Sequence, residues 1–128
     1  MVTINFIMKI QKFEDILSWK KAKELALQIY KLQCKTSYGI DIGFKDQIQR
    51  AAISIMNNIA EGFERGSKKE FLKYLYIAKG SSGEVRSLLH IAKDLDYITV
   101  EQYNELLSQC EEISKTLSGL IKYLYNSK

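Results

Sequence analysis

In the last quarter of the chain, apolar residues recur at alternating steps of three and four. The series continues almost to the C-terminus: Tyr103, Leu106, Cys110, Ile113, Leu117, Leu120 and Leu124. This heptad spacing forms one apolar seam along an α-helix. Thr99 and Gln102 match a capping box, in which the hydroxyl accepts a hydrogen bond from the third helical amide and the glutamine reaches back. We therefore predict a helix that begins after Thr99 and lasts to the end of the chain.

A second helical seam crosses a stretch that has the composition of a flexible linker. The small and apolar residues keep one phase throughout: Phe71, Leu75, Ala78, Ser82, Val85, Leu89 and Ala92. A loop at Gly80–Gly83 would have broken this phase. We therefore predict one continuous helix over about residues 68–95, although each interior glycine costs roughly 1 kcal/mol relative to alanine. Ser67 and Glu70 match a second capping box at its start.

Two more helices are predicted in the first half of the chain, over about residues 14–35 and 44–64. Proline is absent, and 46% of the 128 residues are hydrophobic, which is sufficient for one buried core. Short connections make sequential helices antiparallel neighbours. The sequence thus predicts an all-α fold, an up-down-up-down antiparallel four-helix bundle over residues 13–128. Residues 1–12 are predicted to be an N-terminal extension without an assigned function.

The sequence contains few of the residues that enzymes and metal sites need. His90 is the only histidine, so Cys34 and Cys110 cannot complete a Cys/His zinc set. A di-iron bundle would need two Glu-x-x-His pairs, and no nucleophile elbow is present. We therefore predict no catalytic residues, no metal, no cofactor and no enzymatic activity. No signal peptide and no run of about 18 apolar residues occur, which favours a cytoplasmic protein without membrane contact.

The second predicted helix carries both a polar line and a wide apolar arc. Polar residues recur along one face: Gln47, Arg50, Ser54, Asn58, Glu61 and Arg65. Glu61 and Arg65 are spaced for a salt bridge rather than for acid-base chemistry. The apolar residues cover about half the circumference, more than the stripe of about 100° on a simple surface helix. Wedging between two neighbours in one bundle and burial between subunits explain this width equally well.

An interface between subunits would also account for two glycines of the third helix. A helical wheel places Gly80 and Gly83 away from the seam of that helix, on the same side as Tyr76. Without side chains they would let another backbone approach closely. The residues predicted for a subunit interface are Ile53, Ala60, Tyr76, Gly80 and Gly83.

Basic residues give the chain a net charge of +4 and cluster on the first and third predicted helices. Such a surface could contact phosphates, because those contacts depend on charge rather than on a motif. An ordinary solvated lysine face is the alternative interpretation. The candidate nucleic-acid-binding residues are Lys20, Lys21, Lys23, Arg50, Arg65, Lys68, Lys69, Lys73, Lys79 and Arg86.

An ordered set of motifs resembles the 23S rRNA intervening-sequence protein family. The motifs are Phe13-Glu-Asp-Ile16 with Trp19, Gln47-Ile-Gln-Arg-Ala-Ala-Ile-Ser54, Asn58-Ile-Ala-Glu-Gly62, Arg65, Glu70-Phe71 and Ala78-Lys-Gly-Ser81 through Glu84, and the match covers about residues 13–125. The resemblance implies a small bacterial four-helix bundle without an established enzymatic activity. The accessory variability protein of diversity-generating retroelements is similar. Similarity to this accessory protein implies a pentameric homo-oligomer that binds RNA or DNA and partners a reverse transcriptase.

This sequence departs from the family pattern at three positions. Met56 stands where proline is usual, which favours a straighter second helix because interior proline kinks helices. Gln49 replaces a common arginine and reduces the basic character of that helix. Asp96 replaces the usual glycine before Tyr97.

Together these features predict a non-enzymatic, oligomeric four-helix-bundle protein that associates with nucleic acid or a ribonucleoprotein through a basic surface. The alternative is a structural scaffold that binds only a protein partner, such as a reverse transcriptase.

Overall fold

The computed structural model describes residues 10–127, so most of the predicted extension over residues 1–12 lies outside the described residues. Within the described part, a short 3-10 turn precedes four α-helices joined by three connections, the first of which contains a small hairpin. The elements in chain order are the 3-10 turn Phe13–Asp15, α1 Leu17–Lys31, β1 Lys35–Thr36, β2 Gly39–Ile40, α2 Ile42–Glu64, α3 Lys68–Asp94 and α4 Val100–Tyr125.

Each helix packs against its neighbours in sequence, and α1 closes the ring by packing against α4. The helices α1 and α3 therefore lie diagonally across the bundle. All four contribute fully buried side chains to one core, among them Leu25, Ile29, Ile48, Ile55, Ile59, Leu75, Leu89, Ile113, Leu117 and Leu124. The predicted all-α four-helix bundle is confirmed. No helix in residues 10–127 combines the length and the apolarity that crossing a bilayer requires.

The third helix is continuous through Gly80 and Gly83, as the phase of its seam predicted. Ser82 lies fully buried on this seam, where its Oγ donates to the carbonyl of Cys110 on α4 at 3.2 Å. The α4 capping box of Thr99 and Gln102 also forms. At the start of α3, Ser67 accepts from the amide of Glu70, but the Glu70 carboxylate lies toward Arg65, so only half of that predicted box is present.

The predicted limits of the first helix were wrong. It ends at Lys31 rather than near residue 35, because Leu32 turns to an extended conformation and the buried Cys34 adopts a positive φ of 52°. The chain then forms the β1–β2 hairpin, with Lys35 opposite Ile40. The first helix, α1, also begins at Leu17, after a 3-10 turn, rather than at residue 14.

The second helix begins at Ile42, two residues earlier than predicted, because the side chain of Asp41 caps it. Asp41 accepts from the amide of Phe44 at 3.0 Å and from the hydroxyl of Tyr97 at 2.6 Å. The hydroxyl, followed by the amide, holds the pKa of the Asp41 carboxyl below its usual value. The helix continues without interruption through Met56, where proline is usual in the family.

Asp96 occupies a position where the backbone geometry favours glycine. Its φ is 59°, and the amides of Asp96 and Tyr97 bond back to the carbonyls of Lys93 and Ala92, which is a Schellman motif. The usual glycine at this position therefore has a conformational reason. Aspartate tolerates the left-handed region better than most residues, although at some cost.

We expect Asp96→Gly to raise the free energy of unfolding by about 0.5 kcal/mol, because it relieves the left-handed strain. Urea unfolding followed by circular dichroism measures the change. Ser87→Gly, at an exposed position inside α3, is the control and should lower stability by about 0.5 kcal/mol. Destabilisation by Asp96→Gly would show that the aspartate side chain, and not the backbone, determines this turn.

Candidate nucleic-acid interface

The structure places eight of the ten predicted basic residues in two groups, on α1 and α3, whereas Arg50 lies in α2 and Arg65 at its end. Lys20, Lys21 and Lys23 lie on α1, whereas the larger group lies on α3, diagonally across the bundle. The members on α3 are Lys68, Lys69, Lys73, Lys79 and Arg86. The two groups therefore do not form one continuous patch on a single chain.

Two of the three α1 lysines contact side chains of their own bundle. Lys21 forms an ion pair with Glu112 of α4. The Nζ of Lys23 lies 5.7 Å from the centre of the Trp19 ring, a cation–π contact. Lys20 is exposed. Of these three lysines, the charge of Lys21 is compensated by a carboxylate, so the group offers less free charge than its sequence clustering indicated.

Both candidate arginines of α2 are also paired with acidic residues of the chain. Arg50 donates through Nε to Asp46 at 2.9 Å. Arg65 donates to Glu61 at 3.0 Å and to the Tyr74 hydroxyl at 2.8 Å. The hydrogen bond that Arg65 donates to Glu61 is the main cause that raises the pKa of Arg65, and the electrostatic interaction with Tyr74 is the second. The expected Glu61–Arg65 salt bridge is confirmed. The guanidinium of Arg65 is therefore already bound to side chains of its own chain.

Most of the polar line of α2 faces α3 and is not a free functional face. The Oγ atoms of Ser54 and Ser81 lie 2.8 Å apart, and Asn58 donates to Ser54 at 3.0 Å. Next along the seam, a Cβ on Gly62 would lie 2.5 Å from the Cβ of Tyr74. The α2–α3 contact thus uses small residues and a hydrogen bond between Ser54 and Ser81, so this part of the polar line packs within the bundle.

A groove between α3 and α4 gathers three of the five candidate basic residues of α3 around aromatic rings, whereas Lys79 and Arg86 lie outside it. We call it the lysine–tyrosine groove; it has a volume of about 480 Å³ and is lined by Lys68, Lys69, Leu72, Lys73, Tyr76 and Tyr125. None of these lining residues is acidic. Sequence analysis identified the lysines and Tyr76 but missed Tyr125, which comes from the far end of the chain.

The charges in the lysine–tyrosine groove remain available to a ligand. Lys69 and Lys73 are exposed, and in residues 10–127 neither forms an ion pair with a carboxylate. Lys68 donates to the carbonyl of Ser127 at 2.7 Å, and within residues 10–127 it forms no ion pair with a carboxylate. Burial is the main cause that raises the pKa of Tyr76, and the neighbouring Tyr125 side chain is the second.

Of the residues predicted for a subunit interface, the three on α3 lie on its exposed side, whereas the two on α2 do not. A Cβ on Gly80 or Gly83 would meet nothing within 4 Å, so neither glycine serves packing within the single chain. Tyr76 is 50% exposed, and Ile53 and Ala60 are partly buried. These glycines remain open to a second chain.

Sequence analysis missed three apolar residues on the exposed part of α3. Ile77, Ile91 and Leu95 are 43%, 48% and 49% exposed. They follow a helical spacing of their own that is displaced from the core seam toward α2. This spacing is the sequence signal from which the exposed apolar residues could have been predicted. Ile91 and Leu95 are one helical turn apart, whereas Ile77 lies about 21 Å before Ile91. Neighbouring exposed apolar residues such as Ile91 and Leu95 are typical of interaction surfaces.

The titratable groups of the core show no catalytic arrangement. Burial raises the pKa of the Cys110 thiol to about 12, and burial is also the main cause that raises the pKa of Cys34. Both thiols are therefore protonated at neutral pH, unlike reactive cysteines. Nδ1 of His90 lies 3.2 Å from the hydroxyl of Tyr103. Over residues 10–127, no three metal-ligating side chains come together.

Comparison with known proteins identifies the family. The family model of the 23S rRNA-intervening sequence protein matches residues 14–119. A crystal structure of a protein of unknown function from the S23 ribosomal protein family of Bacteroides thetaiotaomicron is 30% identical, with a TM-score of 0.74, over 83% of this chain and 96% of that chain. No curated protein matches. The matched residues 14–119 include the Asp41 cap, the Gly62 contact and most of the groove. Because this match extends over most of the chain, the chain belongs to the 23S rRNA-intervening sequence protein family.

Proposed function

We propose that this protein is a non-enzymatic, cytoplasmic component that associates with nucleic acid or with a ribonucleoprotein through α3. The lysine–tyrosine groove carries this proposal, since three lysines converge there without an acidic lining residue. Cationic side chains that are free of carboxylates bind phosphates and release counterions. The proposal places the basic surface on α3, because Lys21, Arg50 and Arg65 are paired with carboxylates of the chain, whereas no acidic residue lines the groove.

We also propose that the protein acts as a homo-oligomer, with a pentamer as the form that the family resemblance implies. The open glycines and the exposed apolar residues of α3 support assembly. An oligomer would repeat the groove around a symmetry axis, so that one nucleic acid could contact several copies. Binding would then be stronger and more salt-dependent than binding to one chain.

The test is the salt dependence of binding to a labelled nucleic acid, measured by fluorescence anisotropy. If each bound chain neutralises Z phosphates, the slope of log K against log salt is about −0.9Z for duplex DNA. Reversing Lys69 and Lys73 together to glutamate removes two contacts for each chain. We expect the magnitude of the slope to fall by about 2 for each bound chain, with at least a tenfold loss of affinity at low salt.

A matched control separates the groove from overall charge. Lys20→Glu with Lys23→Glu changes the net charge by the same amount, but on α1, and should weaken binding much less. Equal losses in both double variants would show that charge alone, without a defined surface, drives binding. Absence of binding to RNA and DNA at low salt would contradict the proposal.

The scaffold alternative has an observation of its own in the exposed Ile77, Ile91 and Leu95 of α3. A protein partner, such as the reverse transcriptase that the resemblance implies, would bury such residues. A chain that binds no nucleic acid, but whose partner binding is lost on Ile91→Glu, would favour this function.

A further inference from the structure

We propose that the lysine–tyrosine groove binds single-stranded nucleic acid, with bases stacked on Tyr76 and Tyr125 and the backbone held by Lys69 and Lys73. This inference rests on the proposed function and specifies its ligand. It also assigns Tyr76 to the groove rather than to a subunit interface.

The two tyrosines are exposed where a base could reach them. Tyr76 is 50% exposed and Tyr125 is 62% exposed, whereas Tyr103 of the core is 8% exposed. Other tyrosines have structural roles: Tyr97 bonds to the Asp41 cap, and Tyr74 packs under Arg65. The rings of Tyr76 and Tyr125 therefore expose large apolar surfaces that the bundle does not use.

Tyr76 comes from α3 and Tyr125 from α4, so the packing of these two helices places both rings on the same groove. Rings held in place lose little conformational freedom when a ligand stacks on them. Burial is the main cause that raises the pKa of Tyr76, so this phenol carries no negative charge that would repel a phosphate at neutral pH.

The dimensions of the groove match a short stretch of an unpaired strand. Its volume of about 480 Å³ lies within the range of about 300–1,000 Å³ that is typical of ligand sites. Lys69 and Tyr76 are separated by seven residues of α3, or about 10 Å at 1.5 Å for each residue. This distance corresponds to about three nucleotides at 3.4 Å for each stacked base.

Rings and lysines together distinguish an unpaired strand from a duplex. Bases in a duplex are stacked and paired with each other, so a double helix would engage the lysines but not the rings. In an unpaired strand every base has a free face, and stacking on an aromatic side chain is independent of sequence. We therefore expect the groove to prefer single strands without reading their sequence.

The experiment compares three fluorescein-labelled ligands by anisotropy: a 12-nucleotide oligo(U), a 12-nucleotide oligo(dT) and a 12-base-pair DNA duplex. In Tyr76→Leu with Tyr125→Leu, we expect affinity for both single strands to fall by about fivefold or more for each ring. Affinity for the duplex should change by less than about twofold, because the lysines remain. Tyr76→Phe with Tyr125→Phe keeps both rings and should retain single-strand binding.

Control variants cover folding, assembly and non-specific stacking. Tyr38→Leu removes a fully exposed tyrosine of the hairpin and should leave all three affinities unchanged. Circular dichroism and light scattering verify folding and assembly, and if the double leucine variant does not fold, Tyr125→Leu alone provides the test near the end of α4.

The outcomes separate this inference from the proposed function. Equal binding of single strands and duplex, unaffected by the leucine variants, would overturn the inference and leave nucleic-acid binding intact. No binding of any ligand by the unaltered protein would overturn both. Loss of single-strand binding in the phenylalanine variant would show that the hydroxyls, rather than ring stacking, carry the interaction, and would also overturn the inference.

Discussion

Gly62→Ala is expected to lower the free energy of unfolding by about 2 kcal/mol. The new Cβ would lie 2.5 Å from the Cβ of Tyr74 and 3.3 Å from Cδ1 of Phe71. The Cβ of Tyr74 is attached directly to the α3 backbone, so α2 and α3 must move apart. Overpacking of this kind costs up to about 3 kcal/mol, which outweighs the gain of about 1 kcal/mol from the higher helix propensity of alanine.

Urea unfolding and thermal unfolding, both at fixed protein concentration, measure this effect. A loss of about 2 kcal/mol corresponds to roughly 8 °C in Tm for a chain of this length. Gly119→Ala is the matched control, since it lies in α4 with nothing within 4 Å of its added Cβ. It should raise stability by up to about 1 kcal/mol. If Gly62→Ala raised the free energy of unfolding as Gly119→Ala is expected to do, the close α2–α3 approach at Gly62 would not be required.

Local periodicity was sufficient to predict the fold because each core seam depends on spacing within one helix. The seam through Ser82 stayed in phase across two glycines, and α3 is continuous there. The Thr99–Gln102 capping box was predictable for the same reason, since all of its atoms lie within one turn. These features need no information about neighbouring helices.

The end of α1 and the start of α2 depend on tertiary contacts and were predicted less well. The positive φ of Cys34 and the β1–β2 hairpin follow an apolar stretch that continues the helical pattern, so spacing alone extended the helix too far. Asp41 caps α2 and also accepts a hydrogen bond from Tyr97, which lies 56 residues further along the chain. Such distant partners leave no local signal.

The candidate site was predicted only in part, for a related reason. Lys69, Lys73 and Tyr76 share the solvent side of α3, and that placement follows from helical spacing. Tyr125 reaches the same groove only through the register of α4 against α3, which a single sequence does not specify. In the polar line of α2, the sequence pattern instead indicated a free face where the structure has an internal contact. Ser54 hydrogen-bonds to Ser81 of α3, and Asn58 donates to Ser54.

Assembly should be lost in Gly83→Leu although the chain remains folded. We expect light scattering of the unaltered protein at micromolar concentration to give a multiple of the 14.8 kDa chain mass, and five times that mass for a pentamer. In a single chain the leucine at position 83 would enter open space, and its higher helix propensity favours folding by about 1 kcal/mol. Between two subunits, the same side chain would prevent close approach of the backbones. The variant should therefore have the mass of one chain and an unfolding temperature that does not depend on protein concentration.

The matched control for this substitution is Gly119→Leu, which adds the same side chain on α4 and should leave the assembly intact. A mass near 14.8 kDa for the unaltered protein would remove the proposal of an oligomer altogether. An assembled Gly83→Leu variant would instead place the interface away from the outward side of α3. That outcome would leave the lysine–tyrosine groove unobstructed in every subunit, because Lys69 and Lys73 lie on the same side of α3 as Gly83. If assembly is lost, the subunit contact must be confined to the turns of α3 after Tyr76, which carry Gly80 and Gly83, so that the lysines and Tyr76 stay accessible to a strand.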